Sequence, residues 1–324
     1  MDSSLTNIKN EISRFLLVNF LITFGMGILM FLVYKDIDDS ARSGFAIVQM
    51  MYPALSAIGM KIYYEKDGIS NKLMDFFKLY IFLSILAIII LVIGVFVFPS
   101  HVSTALNILV IVSSIVTFIL IFNNEENCFE QINMVFKKNF RSVSLYCLLF
   151  IMIKLIRIIV GEFFYENSFE VLKTIRYIIA LFIDVPISIV ISSIIFFGEE
   201  LGWREYLQPR LQILFGKKLG VIILGFIWGI WHLPLCFMLY SPSTPIYCVI
   251  SHVSYCILSG IFLGFVYMRT ENLWSVIILH LINNINYTAS ATYGAIITLD
   301  DLIIGLILNA AIFLPFLFTK EYKD

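Results

Sequence analysis

Residues 177–211 read YIIALFIDVPISIVISSIIFFGEELGWREYLQPRL. The first part, 177–197, is apolar apart from Asp184 and a few serines. It then runs into two adjacent carboxylates, Glu199 and Glu200, and a cation, Arg204. A helix needs about twenty apolar residues to cross a bilayer. Charge at the end of such a run is costly, so it is usually paired and often functional. On a helix Glu200 and Arg204 are four apart and can pair. Glu199 then points about 100° away from Glu200. That predicts one acid held in a salt bridge and one free for chemistry.

The composition extends this reading to the whole chain. Of 324 residues, 60% are hydrophobic and only 14% charged, and mean hydropathy is +0.93. A soluble domain is nearer half apolar and a quarter charged. The expectation is an all-α, polytopic transmembrane helical bundle. The net charge of −1 argues against nucleic acid as a partner. Cys128, Cys147, Cys236, Cys248 and Cys256 form no CxxC pair, so they read as packing residues rather than a disulfide framework. The N-terminal head lacks the pattern of a cleaved signal peptide.

About ten spans follow from the apolar runs: 15–34, 45–63, 79–98, 102–122, 142–160, 177–197, 219–240, 246–268, 273–289 and 302–319. The second is interrupted by Gln49, Pro53 and Gly59. Cytoplasmic loops gather Lys and Arg. With both termini placed inside, Lys35, Arg42, Lys173 and Arg176 fall in segments on the outer side. Lys154 and Arg157 lie within a span, and the rest of the 22 Lys and Arg fall inside. The expectation is an integral multi-pass protein with both ends cytoplasmic, in the plasma membrane if the chain is bacterial. No internal repeat is visible. Lys154 and Arg157 share a face in the fifth span, and Asp184 is positioned to neutralise one of them.

The second half carries the other polar groups. His101 sits in a short loop and reads as incidental. His252 has no supporting pattern. Trp228 and His232 are four apart, as are His280 and Asn284, so each pair shares a helix face. Pro234 is placed to kink the seventh span just past His232. Glu199 reaches the depth of the two histidines if its helix continues to Tyr206 or Leu207, within the membrane.

The order E-E-x-x-x-R at 199–204, aromatic-x-x-x-H at 228–232 and H-x-x-x-N at 280–284 resembles the CPBP family. These are the CAAX protease and bacteriocin-processing (Abi) membrane proteins, with Rce1-type members. The resemblance covers a core at about 177–290 in the C-terminal half. It leaves 1–176 as N-terminal transmembrane helices outside that core, and 291–324 as a last span and tail. One departure is Trp228, where the family usually has Phe.

The resemblance implies a glutamate-type intramembrane peptide hydrolase. Glu199 and His232 would activate water, His280 and Asn284 would stabilise the oxyanion, and Glu200, Arg204 and Trp228 would support them. Its substrate would be a membrane-associated peptide or protein, reached from the lipid bilayer. No cofactor is favoured; if zinc took part, Glu199, His232 and His280 would be the ligand set. HExxH is absent and no cysteine is expected nearby, so the metal-free route is preferred. Serine and cysteine nucleophiles have no motif to support them. The rival readings are a non-catalytic membrane immunity or adaptor protein of the same fold, and a transporter whose path is lined by Lys154, Arg157, Asp184 and the histidines.

Overall fold

A computed structural model describes residues 2–123, 128–165, 171–285 and 293–323. Most of these residues are helical, with no strand among them. The N-terminal half comprises α1 (Asp2–Val33), α2 (Asp39–Gln49), α3 (Tyr52–Glu65), α4 (Asn71–Val97), α5 (Pro99–Phe122), α6 (Phe140–Tyr165) and α7 (Val171–Ile191). Then come α8 (Ser193–Glu200), a π-helical stretch (Leu201–Leu207), α9 (Gln208–Phe215), α10 (Lys217–Trp231) and the single turn α11 (Leu233–Leu235). The chain closes with α12 (Pro245–Thr270), α13 (Leu273–Asn284) and α14 (Leu299–Phe313).

Among the described residues, eight helices are long and apolar enough to cross a membrane, or nine if the bent pair Lys217–Trp231 and Leu233–Tyr240 is one span. Large apolar side chains stay exposed along them, including Leu21, Phe31, Phe96, Leu145 and Phe182. A surface this greasy suits hydrocarbon and not water.

Breaks between helices fall where the local chemistry dictates. Asp38 caps α2 and Ser70 caps α4, each accepting a hydrogen bond from a backbone N–H of the first turn. Pro53, Pro99 and Pro245 open α3, α5 and α12, where a missing N–H costs nothing. Gly216 has φ +77° between α9 and α10, a region open in practice to glycine alone.

Four sequence expectations change in detail. The second span is two helices meeting at Met50 and Met51. The sixth breaks at Ser192, and a second helix then continues past Leu207 to Phe215. The ninth is the short α13, twelve residues long; its expected end, 286–289, lies outside the described residues. His101 is an exposed residue in the first turn of α5 rather than a loop residue. The expected bend beside Pro234 is present, and the two segments meet at 43°.

Small residues set the closest helix crossings. A Cβ on Gly198 would overlap the backbone of Met50, and one on Gly202 would overlap Pro53. These contacts lay α8 and the π-helical stretch against α3. The two elements run the same way: Glu205 pairs with Lys61 at 3.0 Å and Arg210 with Glu65 at 2.9 Å. On α10, a Cβ at Gly225 would come within 2.5 Å of the Ile257 backbone, and one at Gly229 within 2.6 Å of that of Val253. Two glycines one turn apart thus bring α10 and α12 backbone to backbone, as small residues do in membrane helix pairs.

Adding a methyl group at Gly225 should therefore force the two helices apart. Gly225→Ala is expected to destabilise by about 1–3 kcal/mol, the usual cost of overpacking, seen as a lower thermal midpoint in detergent. Gly59→Ala, inside α3 where the space is open, should keep or raise the midpoint.

Candidate active site

Glu199 and Glu200 leave α8 in different directions, and both are buried. Glu200 Oε2 accepts a hydrogen bond from Arg204 Nε at 3.1 Å. Its Oε1 accepts from His280 Nδ1 at 2.7 Å. Glu199 Oε2 accepts from the indole Nε1 of Trp228 at 2.8 Å, and its Oε1 lies 4.0 Å from His280 Nε2. His280 therefore stands between the two carboxylates. The Phe usual at the position of Trp228 would have no N–H for Glu199.

Arg204 is fully buried. Its guanidinium lies 5.0 Å from the Trp228 ring centroid, and its two Nη atoms have no hydrogen-bond partner among the described residues. The charged cluster is thus one salt bridge, one imidazole and one aromatic face. The backbone immediately after Glu200 is π-helical, a local form often found at functional sites.

His232 ends α10. Its Nδ1 is 2.8 Å from the carbonyl oxygen of Trp228. A carbonyl only accepts, so Nδ1 carries the proton and Nε2 keeps the lone pair. Among the described residues, His232 makes no ion pair with Glu199. Its ring instead faces His252, with 4.3 Å between centroids.

One cavity of about 620 Å³ joins these groups. Glu199, Trp228, His232, His280 and Asn284 all line it, whereas Glu200 and Arg204 lie behind the wall. The volume is typical of a ligand site. Asn284 is exposed, and its Oδ1 accepts from Asn283 Nδ2 at 3.1 Å. The walls reach beyond the expected core. Met50 and Arg157 enter from the N-terminal half, and Tyr293 and Asn309 from the C-terminal segment.

Three sequence expectations are corrected here. His252 is not isolated: it lines the cavity beside His232. Cysteines do lie near, because Cys248 and Cys256 are in the same wall. Asp184 is exposed and neutralises neither cation. Lys154 Nζ instead donates to the carbonyls of Ile282, Asn283 and Ile285. Those are free carbonyls at the end of α13, where a cation satisfies both the hydrogen bonds and the helix dipole. Arg157 lies 5.0 Å over the ring of Tyr255, whose hydroxyl donates to Asn283. The donor atoms gathered within 4.8 Å of one another belong to His232, His252 and Cys256, which share only His232 with the expected zinc set. The sequence signal for the added pair was the four-residue spacing from His252 to Cys256 on α12, the same spacing as in the other motifs.

Comparison with protein families matches residues 180–286 to the model described as type II CAAX prenyl endopeptidase Rce1-like. Residues 180–286 form an Rce1-like domain. It runs from within α7 through α13 and holds both carboxylates, Arg204, Trp228, the two site histidines and Asn284. Comparison with curated proteins and with solved structures returns no match. The Rce1-like domain and the long apolar helices together make this an integral multi-pass membrane protein, and the domain supports a membrane protease of the CAAX type in general.

The pairing of Glu200 with Arg204 is open to direct measurement. Arg204→Met removes the cation and leaves a buried carboxylate. It is expected to destabilise the fold by about 3–5 kcal/mol, the cost of orphaning one partner of a buried pair. Thermal unfolding in detergent reads this as a large fall in midpoint.

Proposed function

We propose that this protein is a glutamate-dependent intramembrane endopeptidase. The observation that carries the reading is one cavity lined by Glu199, His232, His280 and Asn284. Peptide hydrolysis needs an activated water, a proton donor for the leaving amine and donors for the oxyanion. Glu199 takes a proton from water in the cavity, with His232 Nε2 as the second acceptor on that water. The hydroxide adds to the scissile carbonyl carbon. The oxyanion is met by the Asn284 side chain and, when His280 carries both protons, by its Nε2–H. The C–N bond then breaks, and Glu199 returns its proton to the leaving amine.

Glu200 and Arg204 hold this arrangement without touching substrate. Glu200 fixes the His280 ring through Nδ1, and Arg204 backs both Glu200 and the Trp228 ring. Trp228 in turn orients Glu199. The substrate in this reading is a peptide or a segment of a membrane protein, entering from the bilayer and cut near the cytoplasmic side. In this reading both chain termini lie on that side, which the Lys and Arg distribution supports. The transporter reading is weakened at two of the groups that motivated it, Lys154 and Asp184, while Arg157, His232, His252 and His280 remain on the cavity wall. Lys154 is occupied by carbonyls, Arg157 lies on Tyr255, and Asp184 is exposed.

Purified protein should cleave membrane peptides in detergent or liposomes. Glu199→Gln and His232→Ala should each lose about 10²–10⁴-fold in rate, the usual worth of general acid–base catalysis. Trp228→Phe should lose about tenfold, through one hydrogen bond to a charged group. Cleavage that survives Glu199→Gln at the wild-type rate would point to a non-catalytic role for the site. A chelator should not lower the rate. Loss on chelation with recovery on adding zinc would overturn the metal-free mechanism.

A further inference from the structure

The peptidase reading uses His232 but has no role for His252 or Cys256, although both line the cavity. The two are four apart on α12 and share a face. Cys256 is fully buried and His252 half-buried. Across from them α10 ends at His232, brought close by the contacts of Gly225 and Gly229 with α12. One donor atom from each of His232, His252 and Cys256 lies within 4.8 Å of the other two.

We propose that His232, His252 and Cys256 form a zinc-binding site in the cavity wall. Two imidazoles and a thiolate are donors that zinc prefers, whereas calcium and magnesium take oxygen. Around tetrahedral zinc the donor atoms sit about 3.3–3.8 Å apart, from bond lengths of about 2.0–2.3 Å. The present separations close to that by at most about 1.5 Å, within reach of side-chain rotation on fixed helices.

The orientation of His232 favours the same conclusion. Its Nδ1–H is already committed to the Trp228 carbonyl at 2.8 Å, so Nε2 is the nitrogen with a lone pair to give. A metal-bound histidine typically donates its other N–H to just such a backbone acceptor, which fixes its tautomer and raises its basicity. Zinc binding displaces the thiol proton of Cys256 to solvent. A fourth position opens on the cavity, where water completes the shell. Glu199 lines the same cavity and adds negative potential that favours a cation.

The site shares a residue with the peptidase reading but does not depend on it, because metal binding is measured without substrate. The test is a cobalt titration of tag-free protein in detergent, followed by displacement with zinc. Wild type should show a thiolate-to-cobalt charge-transfer band with the visible bands of tetrahedral cobalt, and zinc should abolish both. Cys256→Ser should lose the charge-transfer band. His252→Gln, which keeps the thiol, should weaken cobalt and zinc binding by at least about tenfold. Cys248→Ser, one turn from His252 and two from Cys256, and Cys147→Ser, in a different pocket, should keep the spectrum. Absence of the band in wild type, or its survival in Cys256→Ser, would overturn the proposal. If Cys256→Ser fails to fold, unchanged binding in His252→Gln overturns it equally.

Discussion

A carboxylate with no access to water must be answered by protein groups, and Glu200 is that carboxylate. It is fully buried, and both of its oxygens are engaged, one by Arg204 and one by His280. The two partners come from different places in the chain: Arg204 from the turn that follows, His280 from α13. Satisfying one buried charge therefore ties α8 to α13 and fixes the direction of the His280 ring. The same helix then has only one direction left for Glu199, toward the indole of Trp228 on α10. An ion pair in low dielectric is seldom a net source of stability. Its effect here is specificity of placement, because alternatives that leave the charge unpaired are far worse.

The second constraint is steric. Imidazoles and carboxylates from separate helices meet only if backbones approach closely, and glycines make that possible at Gly198, Gly202, Gly225 and Gly229. One pair seats α8 on α3, and the other seats α10 on α12. The N-terminal helices are thus part of the site's frame although they carry little of its chemistry. Gln49 Nε2 donates to the carbonyl of Trp231 at 2.9 Å, one residue before His232, and Met50 helps wall the cavity. A division of the chain into core and remainder by motif alone misses this dependence.

What the sequence made legible is what helix geometry makes local. Glu200 with Arg204 repeats at four residues and forms the expected pair, while Trp228 with His232 and His280 with Asn284 recur at the same spacing on the cavity wall. The bend at Pro234 is equally local. Other features depended on partners that leave no mark in sequence. Lys154 finds backbone carbonyls rather than Asp184, and every residue has a carbonyl. α13 is too short to be a regular span in its described part, yet its run of apolar residues looks the same whether it faces lipid or other helices. His252 and Cys256 were a different case. Their spacing is visible in the sequence, but a lone histidine and a lone thiol each carry little signal, and the pattern belongs to the pair.

His232 is where the two proposals meet. With Nδ1 committed to the Trp228 carbonyl, it has a single free nitrogen, which can accept from a water or bind a metal but cannot do both. The helix end that carries it is held by Gln49 and bent at Pro234, so the ring has little freedom to serve the two roles by moving. Zinc in the wall would therefore remove the second acceptor from the attacking water while leaving Glu199, Glu200 and His280 in place. In such a molecule the metal opposes the hydrolysis it is commonly taken to promote, and a thiol on α12 decides how strongly.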